Sequence, residues 1–276
     1  MRLNLSPVPA SFSGLAMIFG KRNKANKPTM NVVMHVPKTG GASVSAGLQK
    51  TFGTERVLRC DWFDQLVKHS KKNGLSGYDI VICHLGGREL SYLRDDFNLK
   101  ISTFLRDPIE RVFSNYRFWR QTAFDVMLDV DGVGKIPMID PTLHWKDDLD
   151  RILLRSSEIW KYRELVDVAT WQFATSIYER TGRSQNQALS EAKRRLRTMG
   201  FVGFQASLHA DYVRLASTIE GTAVPEPLEK INRTEKQDGL VLDDDARSLI
   251  TKYNALDVEL YEWACTRFAT TGSHTA

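Results

Sequence analysis

The feature that most constrains the fold is the stretch NVVMHVPKTGGASV at residues 31–44. A continuous, β-branched run, NVVMHV (31–36), is bounded by Pro37, as is typical of a buried strand. Two glycines follow, and GASVSAGLQKTF (41–52) then carries apolar residues at helical spacing. A strand that passes through a tight turn into a helix is the building unit of α/β proteins.

Strands and helices alternate in the same way further along the chain. YDIVICH (78–84), KISTFLR (100–106) and FVGF (201–204) have the composition of buried strands. DPIERVFSNYRFW (107–119) has a strong helix start, with Asp107 as N-cap and Pro108 at the first helical position. This order predicts an open, mostly parallel α/β sheet.

The remaining segments are expected to belong to one domain. Residues 146–180, 184–198, 208–219 and 243–264 are predicted to be helical, whereas 129–141 and 226–239 are predicted to be loops. We expect an N-terminal extension at 1–29, partly disordered, a single domain at 30–268 and a C-terminal tail at 269–276.

Composition indicates the expected cellular compartment and the chemical type of the partners. The formal net charge of +5 on 276 residues favours anionic partners, although such an excess is also ordinary. Three well-separated cysteines, Cys60, Cys83 and Cys265, indicate neither a metal site nor a disulfide framework, so a reducing, cytoplasmic location is expected. The apolar stretch at 11–20 is too short to cross a bilayer, and peripheral membrane contact is left as an alternative for it.

The glycine turn has the features of an anion site. The first N–H groups of a helix have no intrahelical partner, and the helix dipole favours negative charge there. Gly40 and Gly41 allow close approach, Thr39 and Ser43 supply hydroxyl groups, and Lys38 supplies a charge. Because the lysine precedes the glycines, the turn is not a Walker A loop. The alternative is an ordinary glycine turn.

A second junction, FLRDPIERVFSNYRF (104–118), carries an arginine at the end of a strand. Arg106 offers a planar fork suited to phosphate, and Ser114, two helical turns on, adds a hydroxyl donor. An Arg106–carboxylate pair with a solvated Ser114 is the alternative.

Together the two elements resemble the sulfotransferases that use 3′-phosphoadenosine 5′-phosphosulfate (PAPS), and most closely the family of the heparan sulfate 2-O-sulfotransferases and their bacterial relatives. HVPKTGGASV is similar to the 5′-phosphosulfate loop of that family, and FLRDPIERVFSNYRF to its 3′-phosphate element. The resemblance implies a P-loop-like, three-layer fold. It also implies that Arg106 and Ser114 hold the 3′-phosphate, and that the 5′-phosphosulfate is surrounded by Lys38, Thr39, Gly40, Gly41, Ala42 and Ser43. Ala42 replaces the usual threonine of the family, so weaker donor binding is expected.

The same resemblance suggests the catalytic groups. Lys38 would neutralise charge on the bridging oxygen. His84, at the end of a strand, would be the general base, and a buried or capping histidine is the alternative reading of His84. Asp61, Glu89 and Glu110 are alternatives for the base, whereas His35 is expected to brace the loop and Arg111 to pair with Asp107. In the late basic loop KINRTEKQ (230–237), Arg233 and Lys236 would close over the donor, or would simply be solvated.

The predicted function is transfer of a sulfuryl group from PAPS to an acceptor hydroxyl. A carbohydrate or glycan is the expected acceptor, with a lipid or small metabolite as alternatives. We expect a cytoplasmic enzyme of bacterial type that needs no metal ion and binds no nucleic acid. Residues 120–200, with the end of the preceding helix, are expected to build the acceptor pocket from basic and aromatic side chains, although Trp119, Trp145 and Trp160 are equally suited to the core. The rival predictions are a P-loop-type kinase and a non-catalytic nucleotide- or anion-binding module.

Overall fold

A five-stranded parallel sheet organises the protein. The computed structural model describes residues 27–123, 126–130, 134–177, 180, 182–219, 225, 227–228 and 239–268. In this part of the chain the sheet has the order β2-β3-β1-β4-β7, and β5 and β6 form a separate antiparallel pair. The strands are β1 (Thr29–Met34), β2 (Val57–Trp62), β3 (Ile80–His84), β4 (Asn98–Leu105), β5 (Met127–Val130), β6 (Gly134–Pro137) and β7 (Phe201–Phe204).

Helices cover both faces of the sheet, which confirms the predicted three-layer α/β architecture. Short 3₁₀ turns lie at Arg155–Ser157, Trp160–Leu165 and Gln205–Ser207. The α-helices of the described ranges are α1 (Gly41–Phe52), α2 (Phe63–Asn73), α3 (Leu90–Arg94), α4 (Pro108–Thr122), α5 (Trp145–Leu154), α6 (Val168–Ala174), α7 (Gln185–Arg197), α8 (Leu208–Ser217), α9 (Asp244–Tyr253) and α10 (Ala255–Phe268).

The strand residues divide between two cores because successive side chains point to opposite faces of a sheet. Val33 of β1 packs in one cluster with Leu48 of α1 and Tyr212 of α8. Its neighbours Val32 and Met34 belong to the cluster on the other face, together with side chains of α6, α7 and α10. Each fully buried aliphatic side chain of this kind contributes roughly 1.5–3 kcal/mol relative to exposure.

A separate cluster packs on α4 and contains Trp119 and Trp145, two of the tryptophans considered for the acceptor pocket. Trp119 and Trp145 are buried among α5, α9 and the β5–β6 pair. The hydroxyl of Tyr116 donates to Asp148 Oδ2 at 2.9 Å, and Arg151 forms an ion pair with the same carboxylate. These groups therefore stabilise the core, which is the alternative that the sequence left open for the tryptophans.

Several boundaries differ from the predictions. Residues 129–141, predicted as a loop, contain most of the β5–β6 pair, and 146–180 is broken into α5, 3₁₀ turns and α6. The segment 243–264 divides at Asn254, whose Nδ2 donates to Ile250 O while its Oδ1 accepts from Asp167 N. Asn254 thus ends α9 and also contacts the residue before α6, which no local periodicity would indicate.

Two buried carboxylates hold the N-termini of α6 and α10 together. Asp167, in a left-handed conformation with φ 44°, accepts from the N–H groups of Leu256 and Asp257 at 3.0 Å each. Asp257 in turn accepts from the N–H groups of Ala169 and Thr170 at 3.1 and 2.8 Å. The carboxylate beside the start of each helix therefore accepts hydrogen bonds from the first N–H groups of the other helix. These reciprocal bonds fix α6 against α10.

The predicted domain begins slightly earlier than residue 30. Lys27 Nζ donates to Arg94 O, and Asn98 N donates to Pro28 O, so residues 27–29 join the fold. Residues 1–26 and 269–276, most of the predicted extension and all of the tail, lie outside the described residues. Among the helices that the structure describes, none is both long enough and apolar enough to cross a membrane.

Candidate functional site

The two sequence elements meet at the carboxyl edge of the sheet. In the strand register, Met34 of β1 is aligned with Cys83 of β3 on one side and with Thr103 of β4 on the other. The Thr103 hydroxyl also donates to Met34 O at 2.8 Å. The segments that follow these three strands therefore emerge together, where open α/β sheets bind their ligands.

The loop between β1 and α1 has an unusual backbone. Lys38 adopts φ 68° and Gly40 adopts φ 90°, both in the left-handed region. For a lysine this conformation is disfavoured and marks stored strain, of the kind that concentrates at functional sites. The Thr39 hydroxyl donates to Val36 O at 2.8 Å, so it stabilises the turn from inside.

The start of α1 is open to an anion. Gly40 is the N-cap and offers no side-chain hydrogen bond, and the first turn contains no acidic residue. The leading N–H groups of an α-helix precede its first intrahelical hydrogen bond, which here runs from Val44 N to Gly40 O at 3.1 Å. A negatively charged group is the partner that the helix dipole favours there, and the backbone at Ala42 offers its N–H without any hydroxyl.

Gly41 is required by its contact with His35. A Cβ atom on Gly41 would lie 1.9 Å from His35 Nε2, far inside van der Waals contact. The His35 ring lies against the loop and stacks on the ring of His84, with centroids 4.3 Å apart. His35 therefore braces the loop, as its position in the sequence suggested.

The ammonium group of Lys38 lies among aromatic and cationic neighbours. Its Nζ is 4.3 Å from the centroid of the Phe118 ring. Partial burial, reinforced by the charges of Arg106 and Arg117, lowers the pKa of Lys38 to about 8. A cation held at such a pKa gains from an anionic partner, because the partner offsets both causes of the shift.

Arg106 joins the second element to the loop. Its Nη1 donates to the main-chain carbonyl of Lys38 at 3.2 Å, and its Nη2 lies 3.6 Å from Glu110 Oε2. Its Nε is buried without a hydrogen-bond partner among the described residues. Asp107 caps α4 by accepting from Glu110 N at 2.9 Å, as predicted, and Ser114 is half-buried farther along the helix.

His84 ends β3 with a defined orientation. Its Nδ1 lies 2.7 Å from the main-chain oxygen of His35. A carbonyl oxygen only accepts, so Nδ1 carries the hydrogen and the lone pair is on Nε2. Burial lowers the pKa of His84 below its usual value, and the bond to His35 O opposes that shift. The imidazole is therefore neutral near pH 7, as a proton acceptor must be.

The other candidate bases are less well suited. Glu110 faces Arg106 and Arg247, and Asp61 lies near Arg59 at 3.5 Å. Burial raises the pKa of Glu89, which would favour a base, but Glu89 is held by hydrogen bonds with Ser176 and with the backbone of Gly86 that oppose this shift. The pKa of the Cys83 thiol is also raised well above its usual value by burial, which disfavours a thiolate nucleophile.

The expected pair between Arg111 and Asp107 does not form. Arg111 is fully buried, and its Nη1 donates to Glu164 O at 3.1 Å, while the Asp107 carboxylate is used as the helix cap. Arg111 instead lines a cavity of about 10 Å³ with Asp257 and Thr39, directly behind the loop. This volume suits one water molecule rather than a nucleotide, so any nucleotide would bind on the open edge.

Two site neighbours escaped the sequence analysis. Phe118 is the last residue of the second element and lies one helical turn beyond Ser114, but the sequence did not indicate its contact with Lys38. Trp62 ends β2, a strand that was not predicted, and its ring centroid is 5.2 Å from that of His84. Arg233 and Lys236, predicted to close over the donor, lie outside the described residues.

Comparison with known proteins adds no relative. No protein-family model matches the chain, and no curated protein matches it significantly. Among the described residues, no group of three or more His, Cys, Asp or Glu side chains is arranged to hold a metal ion.

Proposed function

We propose that the protein is a PAPS-dependent sulfotransferase that sulfates a hydroxyl group, with a carbohydrate or glycan as the preferred acceptor class. The observation that carries this proposal is the hydrogen bond from Arg106 Nη1 to Lys38 O, which joins the loop element to the arginine element. A phosphosulfate on the loop and a 3′-phosphate near Arg106 would then belong to one nucleotide.

The residues fit the donor in its charge and its shape. The start of α1, where the helix dipole favours negative charge and the first turn has no acidic residue, suits the 5′-phosphosulfate together with Lys38. Arg106, with a buried Nε that lacks a partner among the described residues, and Ser114 suit the 3′-phosphate. Ala42 removes one hydroxyl but keeps its N–H, so donor binding is weakened rather than lost.

Transfer would proceed in line, from the bridging phosphate oxygen of the donor to the acceptor oxygen. The sulfur–oxygen bond to the acceptor forms as the bond to the phosphate breaks, and PAP (3′-phosphoadenosine 5′-phosphate) leaves with the bonding electron pair. Lys38 neutralises the charge that grows on the leaving oxygen. His84 Nε2 accepts the proton of the acceptor hydroxyl, since Nδ1 is bonded to His35 O.

Isothermal titration with PAP, AMP and ATP tests this function. We expect PAP to bind much more tightly than AMP, and Arg106→Ala to remove most of that preference. Arg183→Ala, which removes an equal charge from an exposed turn, is the matched control and should change nothing. Equal affinities for PAP and AMP would refute the proposal, and magnesium-dependent ATP turnover would favour a kinase instead.

Transfer itself needs a second assay. With labelled PAPS and a panel of carbohydrate acceptors, His84→Ala should lower the rate by about 100-fold or more while PAP affinity is retained. If the protein binds PAP but transfers a sulfuryl group to no acceptor, and His84→Ala changes nothing measurable, the protein is a non-catalytic module.

A further inference from the structure

A buried glutamine on α6, Gln172, contacts the loops at the carboxyl edge of the sheet. Gln172 is fully buried, and its Nε2 donates to His35 O at 3.0 Å and to Leu85 O at 2.8 Å. Its own main-chain oxygen accepts from Gly87 N at 2.8 Å. One side chain thus links the segments that follow β1 and β3.

The orientation of the amide is determined by its partners. Both atoms that face Nε2 are carbonyl oxygens, which accept only, so the flipped amide would place three oxygens together. The Oε1 atom is consequently buried and has no partner within the described part of the chain. A buried acceptor without a partner is unfavourable for stability, so the presence of this glutamine in the core needs an explanation.

His35 O is the atom through which Gln172 contacts the site. It accepts from Gln172 Nε2 on one side and from His84 Nδ1, at 2.7 Å, on the other. A carbonyl oxygen has two lone pairs, so these two bonds saturate it. The glutamine therefore fixes the peptide plane whose oxygen selects the tautomer of His84.

We propose that Gln172 is a positioning residue for His84: by anchoring His35 O, it keeps the hydrogen of His84 on Nδ1 and the lone pair on Nε2. This role rests on the proposed function only for its effect on catalysis. The tautomer itself is a property of the free protein, and it is measured without donor or acceptor.

Nitrogen-15 NMR of histidine-labelled protein tests the proposal. In the wild type, the Nδ1-protonated form of His84 should predominate. In Gln172→Met, which keeps the length of the side chain and removes both donors, a mixture of tautomers is expected. Gln185→Met, on an exposed position of α7, is the matched control and should leave the spectrum of His84 unchanged. A wild-type His84 protonated on Nε2, or an unchanged tautomer in Gln172→Met, would overturn the proposal.

A wild-type measurement covers the case in which Gln172→Met fails to fold. Both Nε2 hydrogens of Gln172 are bonded to main-chain carbonyls, and the Gln172 side chain itself is fully buried, so their exchange with solvent deuterium should be slow. Rapid exchange would contradict the assignment.

If transfer is observed, Gln172→Met should lower kcat about tenfold to 100-fold. We take this range from metal sites, where the loss of an outer hydrogen-bond partner of a ligating histidine has effects of that size. KM for PAPS should change little. An unchanged kcat would overturn the positioning role, whereas failure of PAP binding would leave the tautomer result intact and refute only the proposed function.

Discussion

The pKa of Lys38 leads to a sharp prediction for ligand binding. Burial and the charges of Arg106 and Arg117 lower this pKa to about 8, so the ammonium loses its proton within an accessible range. Donor binding requires the charged form, because an uncharged amine offers little to a phosphate or sulfate. If the protein binds PAP as proposed, the affinity should be highest below about pH 7 and should fall as the pH rises through 8.

The magnitude follows from the titration curve. With a pKa of about 8, roughly nine-tenths of the Lys38 side chains are protonated at pH 7 and about one-tenth at pH 9. If only the protonated form binds, the apparent Kd of PAP rises about tenfold over that interval. The phosphate groups do not obscure this change, since their second pKa is near 6.

Titration calorimetry at half-unit steps from pH 7 to 9 would measure the slope. Lys38→Arg is the matched control, because a guanidinium group stays charged throughout this range and the slope should disappear. Any background from other groups remains in that variant and is subtracted by the comparison. A wild-type affinity that is constant from pH 7 to 9, or the same slope in Lys38→Arg, would exclude the titration of Lys38 as the cause.

Two further predictions concern the scaffold. Gly41→Ala should lower the free energy of unfolding by about 1–3 kcal/mol and weaken PAP binding, because its methyl group would overlap His35. Gly77→Ala is the control: a Cβ there meets nothing within 4 Å, so the variant should be nearly neutral in urea unfolding. Burial and Asp257 raise the pKa of Asp167 to about 7, so the native state binds the extra proton between about pH 4 and 7 and stability falls as the pH rises through that window. Asp167→Asn keeps the accepting oxygen and should flatten that fall between pH 4 and 8; an identical pH profile in the variant would exclude Asp167 as its origin.

Local signals predicted the part of the fold that carries the anion site. The β-branched run of β1, the glycine turn, and the Asp107–Pro108 start of α4 are encoded within a few residues of the structure they form. The predicted role of Arg106 needs only the end of a strand and the fork of a guanidinium. Its contact with Lys38 O, across 68 residues, follows once β1 and β4 are neighbours.

The missed elements depend on partners that are distant in sequence. The stretch VLRCDW of β2 has mixed polarity, because Arg59 and Asp61 are exposed at this edge strand, so no continuous apolar run announces it. The break before α6 depends on Asp257, which caps that helix from 88 residues away through Ala169 N. Asp257 therefore lies far outside the short stretch of sequence in which helical periodicity can be recognised.

The same distinction separates the two halves of the proposed mechanism. An anion cradle is made from backbone N–H groups and the charges beside them, so a motif of ten residues is enough to suggest it. A general base must also present the correct nitrogen, and for His84 that choice depends on His35 O and on Gln172, 137 residues beyond His35. Gln172 lies on α6, whose start is held by Asp257 of α10, so the orientation of the base is fixed from the C-terminal helix. Substitutions in α10 that loosen this cap should therefore disturb proton transfer before they disturb donor binding.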